Sequence, residues 1–242
     1  MLDKNIDQVV QAFHSDNSPH FCCILHLASL EQYLADCYAV LSKEEQARAD
    51  RYVVDPPRVQ FSITRACLRL IMGKLLNKVP ADLIFETNEW GKLYLPESDL
   101  NFNVSHTKEK AIILISPNQY VGIDIERIQP EFAAKNIANR FFSDAEKEWL
   151  AQFHSNELAE QFFNIWCGKE AVSKAIGLGM NLPLKKYDVI PKANTIKLEI
   201  PPNKLLNKAS SWSLTFNTLD NLYAYAWSLG DQVDKIFMGQ LY

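Results

Sequence analysis

The feature that most constrains the fold of this chain is a pattern that occurs twice. Ser42 with Glu45 forms an S-x-x-E capping box, and Ser143 with Glu146 forms a second one, an offset of 101 residues from 42 to 143. In such a box the serine hydroxyl and the glutamate carboxylate each satisfy a free backbone N–H of a helix's first turn, so each box marks a helix start. The first helix runs to about residue 52, where Pro56 and Pro57 follow. The same offset superposes Gln60-Phe61 on Gln161-Phe162, each near the start of a longer segment. Residues 58–76 carry Phe61, Ala66, Leu68, Ile71, Met72 and Leu75 near helical spacing. A second long helix is expected over about residues 160–176, ended by Gly177 and Gly179.

Short strands surround these helices. Residues 21–27, 83–87, 101–104 and 111–116 read as strands in the first half, and Pro117-Asn118 marks a turn. The second half offers 120–126, 195–200, 211–219 and 222–229. The ordered succession predicts an α+β fold of two related subdomains, residues 1–118 and 119–242, with the default ligand site in the cleft between them.

Composition narrows the function classes. Hydrophobic residues make up 48% and charged residues 22%, as in an ordinary soluble globular protein. The 25 basic and 29 acidic side chains give a formal charge of −4, so no nucleic acid and no anionic membrane is expected as a partner. Cys22, Cys23, Cys37, Cys67 and Cys167 are odd in number and contain no C-x-x-C pair, which argues for a reducing compartment without a disulfide framework. Acids at Asp3 and Asp7 are unlike a signal peptide, and no apolar run approaches the ~20 residues of a spanning helix. The expectation is a cytoplasmic protein.

Several constellations carry chemistry. In Gly122-Ile123-Asp124-Ile125-Glu126, a strand projects Asp124 and Glu126 from one face while the isoleucines pack on the other. Two neighbouring carboxylates repel, and a hard divalent cation such as magnesium removes that penalty. Standing alone, a D-x-E pair is more often a solvated strand face. In Trp166-Cys167-Gly168-Lys169-Glu170-Ala171-Val172-Ser173-Lys174, Glu170 and Lys174 lie four apart on one helix face. That spacing suits an ordinary surface ion pair, but the preceding Phe162-Phe163-Asn164-Ile165-Trp166 is too apolar for a solvated helix.

Asn101-Phe102-Asn103-Val104-Ser105-His106-Thr107 ends a strand in donors suited to phosphate oxygens, or in an ordinary turn. A Ser–His nucleophilic pair is disfavoured, because adjacent strand residues face opposite ways and no G-x-S-x-G elbow exists. Glu89-Trp90-Gly91-Lys92 is a glycine turn presenting a lysine, and Arg48, Arg51, Arg58 and Arg65 cluster around the first long helix. Neither a Walker A nor a G-x-G-x-x-G motif is present.

Taken in order, these pieces resemble the 4′-phosphopantetheinyl transferases of the surfactin-synthetase-activating type. The matching segments are Trp90-Gly91-Lys92, Phe102 to His106, Gly122 to Glu126, Arg140-Phe141-Phe142-Ser143, and Trp166 to Lys174. The most specific is G-I-D-I-E followed at this spacing by W-x-x-K-E-A-x-x-K. The resemblance implies two α+β halves related by a pseudo-twofold, with coenzyme A in the cleft between them. It implies transfer of phosphopantetheine from coenzyme A to a serine of an apo acyl, peptidyl or aryl carrier domain, leaving 3′,5′-ADP.

Residue roles follow from the same resemblance. Asp124, Glu126 and Glu170 would hold Mg2+, while Lys174 and His106 would donate to the pyrophosphate. Ser105 and Lys92 would steady the nucleotide phosphates, and Arg48 and Arg58 would hold the 3′-phosphate. Either Glu170 or a metal-bound water would act as general base. One chain would supply both walls of the cleft, so a monomer is expected. Two departures stand out: Leu93 replaces the family's usual proline after Gly-Lys, and Gly168 lies inside the long helix, for close packing or close ligand approach. Competing readings are a non-catalytic binder of coenzyme A or of a carrier, and a magnesium-dependent phosphohydrolase.

Overall fold

The computed structural model describes residues 2–96, 98–130, 134–200, 210–230 and 235–242. Its helices, in chain order, are α1 (Leu2–Asp16), α2 (Leu27–Leu30), α3 (Leu34–Val40), α4 (Lys43–Asp50), α5 (Asp55–Leu76), α6 (Ala134–Phe141), α7 (Asp144–Leu150) and α8 (Ser155–Ile176). Its strands are β1 (Phe21–His26), β2 (Glu86–Thr87), β3 (Leu93–Tyr94), β4 (Asn101–His106), β5 (Lys110–Ser116), β6 (Val121–Arg127), β7 (Thr195–Ile200), β8 (Ser210–Leu219), β9 (Tyr223–Leu229) and β10 (Phe237–Leu241). The expected α+β class holds.

Both capping boxes form. Ser42 caps α4 and Ser143 caps α7, each with its glutamate reaching back to the serine N–H. The helices that follow, α5 and α8, are each 22 residues long and each ends in a left-handed residue, Asn77 and Gly177. Pro56 and Pro57 open α5, because the first turn needs no N–H donor there.

Four strands in the order β10-β1-β5-β4 make one sheet and β6-β9-β8-β7 make another, while β2 and β3 pair as a separate hairpin. Strand parity builds three cores. Phe21, Cys23 and Leu25 of β1, with Ile113 and Ile115 of β5, pack under α1, α3 and α5. The alternate residues, Cys22, Ile24, Ile112 and Leu114, meet Val121, Ile123 and Ile125 of β6 and Tyr223 and Tyr225 of β9 between the two sheets. On the far side of the second sheet, α8 packs with Trp212, Leu214 and Phe216 of β8.

Two sequence expectations need correction. The division at 118/119 leaves the last strand on the wrong side, because β10 pairs in parallel with β1 of the first sheet, Phe21 opposite Phe237. The strand expected over 83–87 is only the two-residue β2, since Pro80 opens a 3₁₀ turn just before it. Helix α1 had no sequence assignment; its Leu2, Ile6 and Val10 are buried at four-residue spacing.

The two sheets abut along β4 and β6. Here side chains replace a backbone ladder: Asn103 Oδ1 accepts from the N–H of Ile123 at 3.0 Å, and Ser105 Oγ from that of Ile125 at 3.3 Å. This seam carries the chemistry described next.

Candidate active site

Gly122 explains why the strand and helix motifs meet. A Cβ at this position would lie 1.9 Å from the Ala171 carbonyl and 2.4 Å from the Ala175 nitrogen, so β6 rests directly on the backbone of α8. That approach brings Asp124 and Glu126, on the same face as Gly122, beside Glu170 and Lys174. Gly168 serves packing on another face of α8: its Cβ would meet Phe216 Cε1 at 2.9 Å and Leu214 Cδ2 at 3.2 Å.

Asp124 is the hub. It is 4% exposed, and its Oδ1 accepts from Ser105 Oγ at 2.7 Å and from Lys174 Nζ at 2.6 Å. Lys174 also donates to Ser105 Oγ at 2.9 Å, closing a triangle. The other carboxylate oxygen, Oδ2, is buried and has no hydrogen-bond partner among the described residues. Burial works against the Lys174 charge, but Asp124 and Glu170 outweigh it and hold this ammonium above its ordinary range.

One ammonium cannot balance three carboxylates. Burial, with Asp124 adding to it, pushes Glu126 up to about 7. The same two causes raise Glu170. His106 is shifted down, first by burial and then by the neighbouring Lys174 ammonium. The two raised carboxylates, each buried and each facing the Asp124 charge, mark the acidic side of the pocket as short of positive charge.

A hollow of about 300 Å3 is lined by Asp124, Glu126, Glu170, Lys174, Ser105, Val104, His106 and Trp166. A second, of about 350 Å3, is lined by Arg48, Phe61, Thr64, Arg65, Trp90, Gly91, Lys92, Asn103 and others. Val104, His106 and Lys174 line both, so the two form one cleft, acidic at one end and basic at the other. In the basic part the Arg48 guanidinium lies 4.8 Å from the centre of the Phe61 ring. Thr64 Oγ1 is buried there and has no hydrogen-bond partner among the described residues.

The residues expected at the site therefore divide. Asp124, Glu126, Glu170, Lys174, Ser105, His106 and Arg48 come together. Arg58 does not: it pairs with Asp55 at 2.7 Å and lines a separate hollow with Tyr38 and Ser62. Lys92 lines the basic cavity, but its ammonium donates to the carbonyls of Val121 at 3.1 Å and Ala175 at 2.8 Å in place of an open phosphate site. Burial lowers it to about 8. Arg65 is paired with Glu45 at 2.8 Å. Thr64 carried no sequence signal, since a threonine on a helix face is most often packing.

Among the described residues no three His, Cys, Asp or Glu side chains converge as a ready-made metal cage. The residues nevertheless suit Mg2+. They offer hard oxygen donors, one of them a buried carboxylate oxygen without a hydrogen-bond partner among the described residues. This ion keeps several waters and takes one or two carboxylates together with substrate phosphates, so a full protein cage is not required.

A model of the 4′-phosphopantetheinyl transferase superfamily matches residues 120–228. Over 190 residues the chain is 33% identical to 4′-phosphopantetheinyl transferase HetI of Nostoc sp., covering 76% of each chain. It is 37% identical over 147 residues to 4′-phosphopantetheinyl transferase gsp of Aneurinibacillus migulanus, covering 61% of this chain and 60% of the other. Identity to 4′-phosphopantetheinyl transferase Sfp of Bacillus subtilis is 28% over 163 residues, 66% of this chain and 71% of the other. The matched stretch contains Asp124, Glu126, Glu170 and Lys174.

Proposed function

This chain belongs to the 4′-phosphopantetheinyl transferase superfamily and is a transferase, and on that premise we propose that it moves phosphopantetheine from coenzyme A to a serine of an apo acyl, peptidyl or aryl carrier protein. The observation that carries this reading is the shared wall of Val104, His106 and Lys174 between the acidic and basic ends of one cleft. A substrate with a pyrophosphate in its middle and a further phosphate at one end matches that charge order.

In this reading Arg48, with the Thr64 hydroxyl, receives the 3′-phosphate in the basic cavity. Lys174 and His106 lie where the cavities join and donate to the pyrophosphate. Asp124, Glu126 and Glu170 would hold Mg2+, which supplies charge neutralisation on the phosphate oxygens as the leaving group departs. Ser105 holds Asp124 in place through its hydroxyl. The carrier serine oxygen forms the new bond to phosphorus, the pyrophosphate P–O bond breaks, and 3′,5′-ADP leaves. Glu170, which lines the same hollow, takes the serine proton.

Supporting the same reading, five buried, unpaired cysteines suit a reducing cytoplasm. No described helix is long and apolar enough to cross a membrane. Both walls of the cleft come from one chain, which suits a monomer.

The test is incubation with coenzyme A, magnesium and apo carriers of fatty-acid and nonribosomal-peptide type, followed by intact-mass measurement. The reading predicts a mass gain of one phosphopantetheine with equal release of 3′,5′-ADP. No gain on any carrier would sink it, and 3′,5′-ADP released without a carrier would favour a hydrolase.

A further inference from the structure

Residues 88–92 form a turn in the first half that grips the end of α8 in the second. Asn88 shapes it: Oδ1 accepts from the N–H groups of Trp90 at 2.9 Å and Lys92 at 2.8 Å. Gly91, at φ +84°, makes the bend that a side-chain-bearing residue resists. From this turn two side chains cross to α8. Asn88 Nδ2 donates to the Gly177 carbonyl at 3.0 Å, and Lys92 Nζ donates to the Ala175 carbonyl at 2.8 Å. The same ammonium reaches the Val121 carbonyl at the start of β6, at 3.1 Å.

A helix end leaves its last carbonyls without partners inside the helix, and a cation there also meets the negative end of its dipole. Lys92 therefore caps α8 from another part of the chain and ties it to β6. The fit is close: a Cβ on Gly177 would meet Lys92 Cδ at 3.0 Å and Asn88 Nδ2 at 3.1 Å. One residue before the capped Ala175 stands Lys174, whose contact with Asp124 joins the two strand–helix motifs. Trp90, Gly91 and Gly177 also line the basic cavity, so the clamp forms part of the wall around the site.

We propose that Asn88 and Lys92 are positioning residues for the transfer step, holding α8 against β6 so that Lys174 and Glu170 face Asp124, rather than ligands of the substrate. This rests on the transferase reading above.

The test compares Asn88→Asp, Asn88→Ala, Lys92→Met and Lys92→Arg with the wild type. Each is measured for carrier loading at saturating substrate, for coenzyme A affinity by calorimetry, and for unfolding midpoint. Asn88→Asp keeps both acceptor bonds that shape the turn, loses the donor to Gly177 and sets a carboxylate oxygen against that carbonyl. Positioning predicts that kcat falls about 10- to 100-fold in Asn88→Asp, Asn88→Ala and Lys92→Met. Coenzyme A affinity stays within about threefold, a change well under the 1.4 kcal/mol that a tenfold loss represents. Lys92→Arg, which keeps the charge at the helix end, recovers part of kcat. A wild-type rate in Asn88→Asp overturns the proposal. So does a tenfold loss of affinity in Lys92→Met at unchanged kcat, which is the signature of a phosphate ligand. If the wild type loads no carrier, the transferase reading fails and this proposal with it; loss confined to the variants' affinity removes only the positioning role.

Discussion

Glu146 and Lys169 meet at 2.9 Å inside the second core, and neither side chain has exposed surface. Glu146 also closes the α7 capping box and accepts from the N–H of Val189 at 2.8 Å. Lys169 also donates to the carbonyls of Leu184 at 2.6 Å and Tyr187 at 3.0 Å. The first half solves the same problem with Glu45 and Arg69, 2.6 Å apart. Arg69 there donates to the carbonyls of Pro80 at 2.8 Å and Leu83 at 3.0 Å. In each half a capping-box glutamate ties the short helix to the long helix behind it, and the cation pins the segment that follows.

Removing one member of such a pair leaves the other charge buried and unpaired. Lys169→Met is expected to lower unfolding free energy by about 3–5 kcal/mol, read from urea denaturation. The double variant with Glu146→Gln should recover part of that loss, because no charge is then stranded. A loss below about 1 kcal/mol in the single variant would place the pair among weak surface contacts.

Gly122→Ala tests the contact that brings β6 onto α8. The added methyl meets backbone atoms, which have no rotamer by which to yield. We expect a stability loss of at least about 1–3 kcal/mol together with impaired transfer, because Asp124 moves away from Lys174. A variant with native unfolding midpoint and native rate would refute this packing role.

The carboxylate pocket predicts a pH dependence. Glu126 is raised from 4.5 to about 7 in the folded protein, and Glu170 is raised as well. Between those values the folded state holds protons that the unfolded chain has released, so metal-free stability falls as pH rises through the window. Magnesium competes with the same protons. The magnesium-induced rise in unfolding midpoint should therefore be larger at about pH 8 than at about pH 5.5. An equal rise at both would separate the metal from these carboxylates.

Much of this site is legible in the sequence because its rules are local. Strand parity puts Asp124 and Glu126 on one face, and helical spacing stacks Glu170 with Lys174. The capping boxes announce α4 and α7, and Gly177 announces the end of α8. Lys169 and Lys92 are different, because a lysine's ordinary place is in water. Their buried positions depend on carbonyls 15 or more residues away in the chain, at Leu184 and Ala175. The pairing of β10 with β1 is equally non-local and has no periodicity to reveal it. Arg58 failed for a related reason: clustering along a helix does not tell which arginine faces the cleft, and a local Asp55 draws it away.

The most direct test of the account is Glu170→Gln, measured in one preparation for carrier loading with magnesium and for coenzyme A affinity without it. The carboxylate lines the acidic hollow and does not line the basic cavity. We predict that loading falls on the order of 10²-fold or more, while affinity changes by less than about threefold. Loading at the wild-type rate would contradict the assignment of the carboxylate pocket as the centre of the reaction.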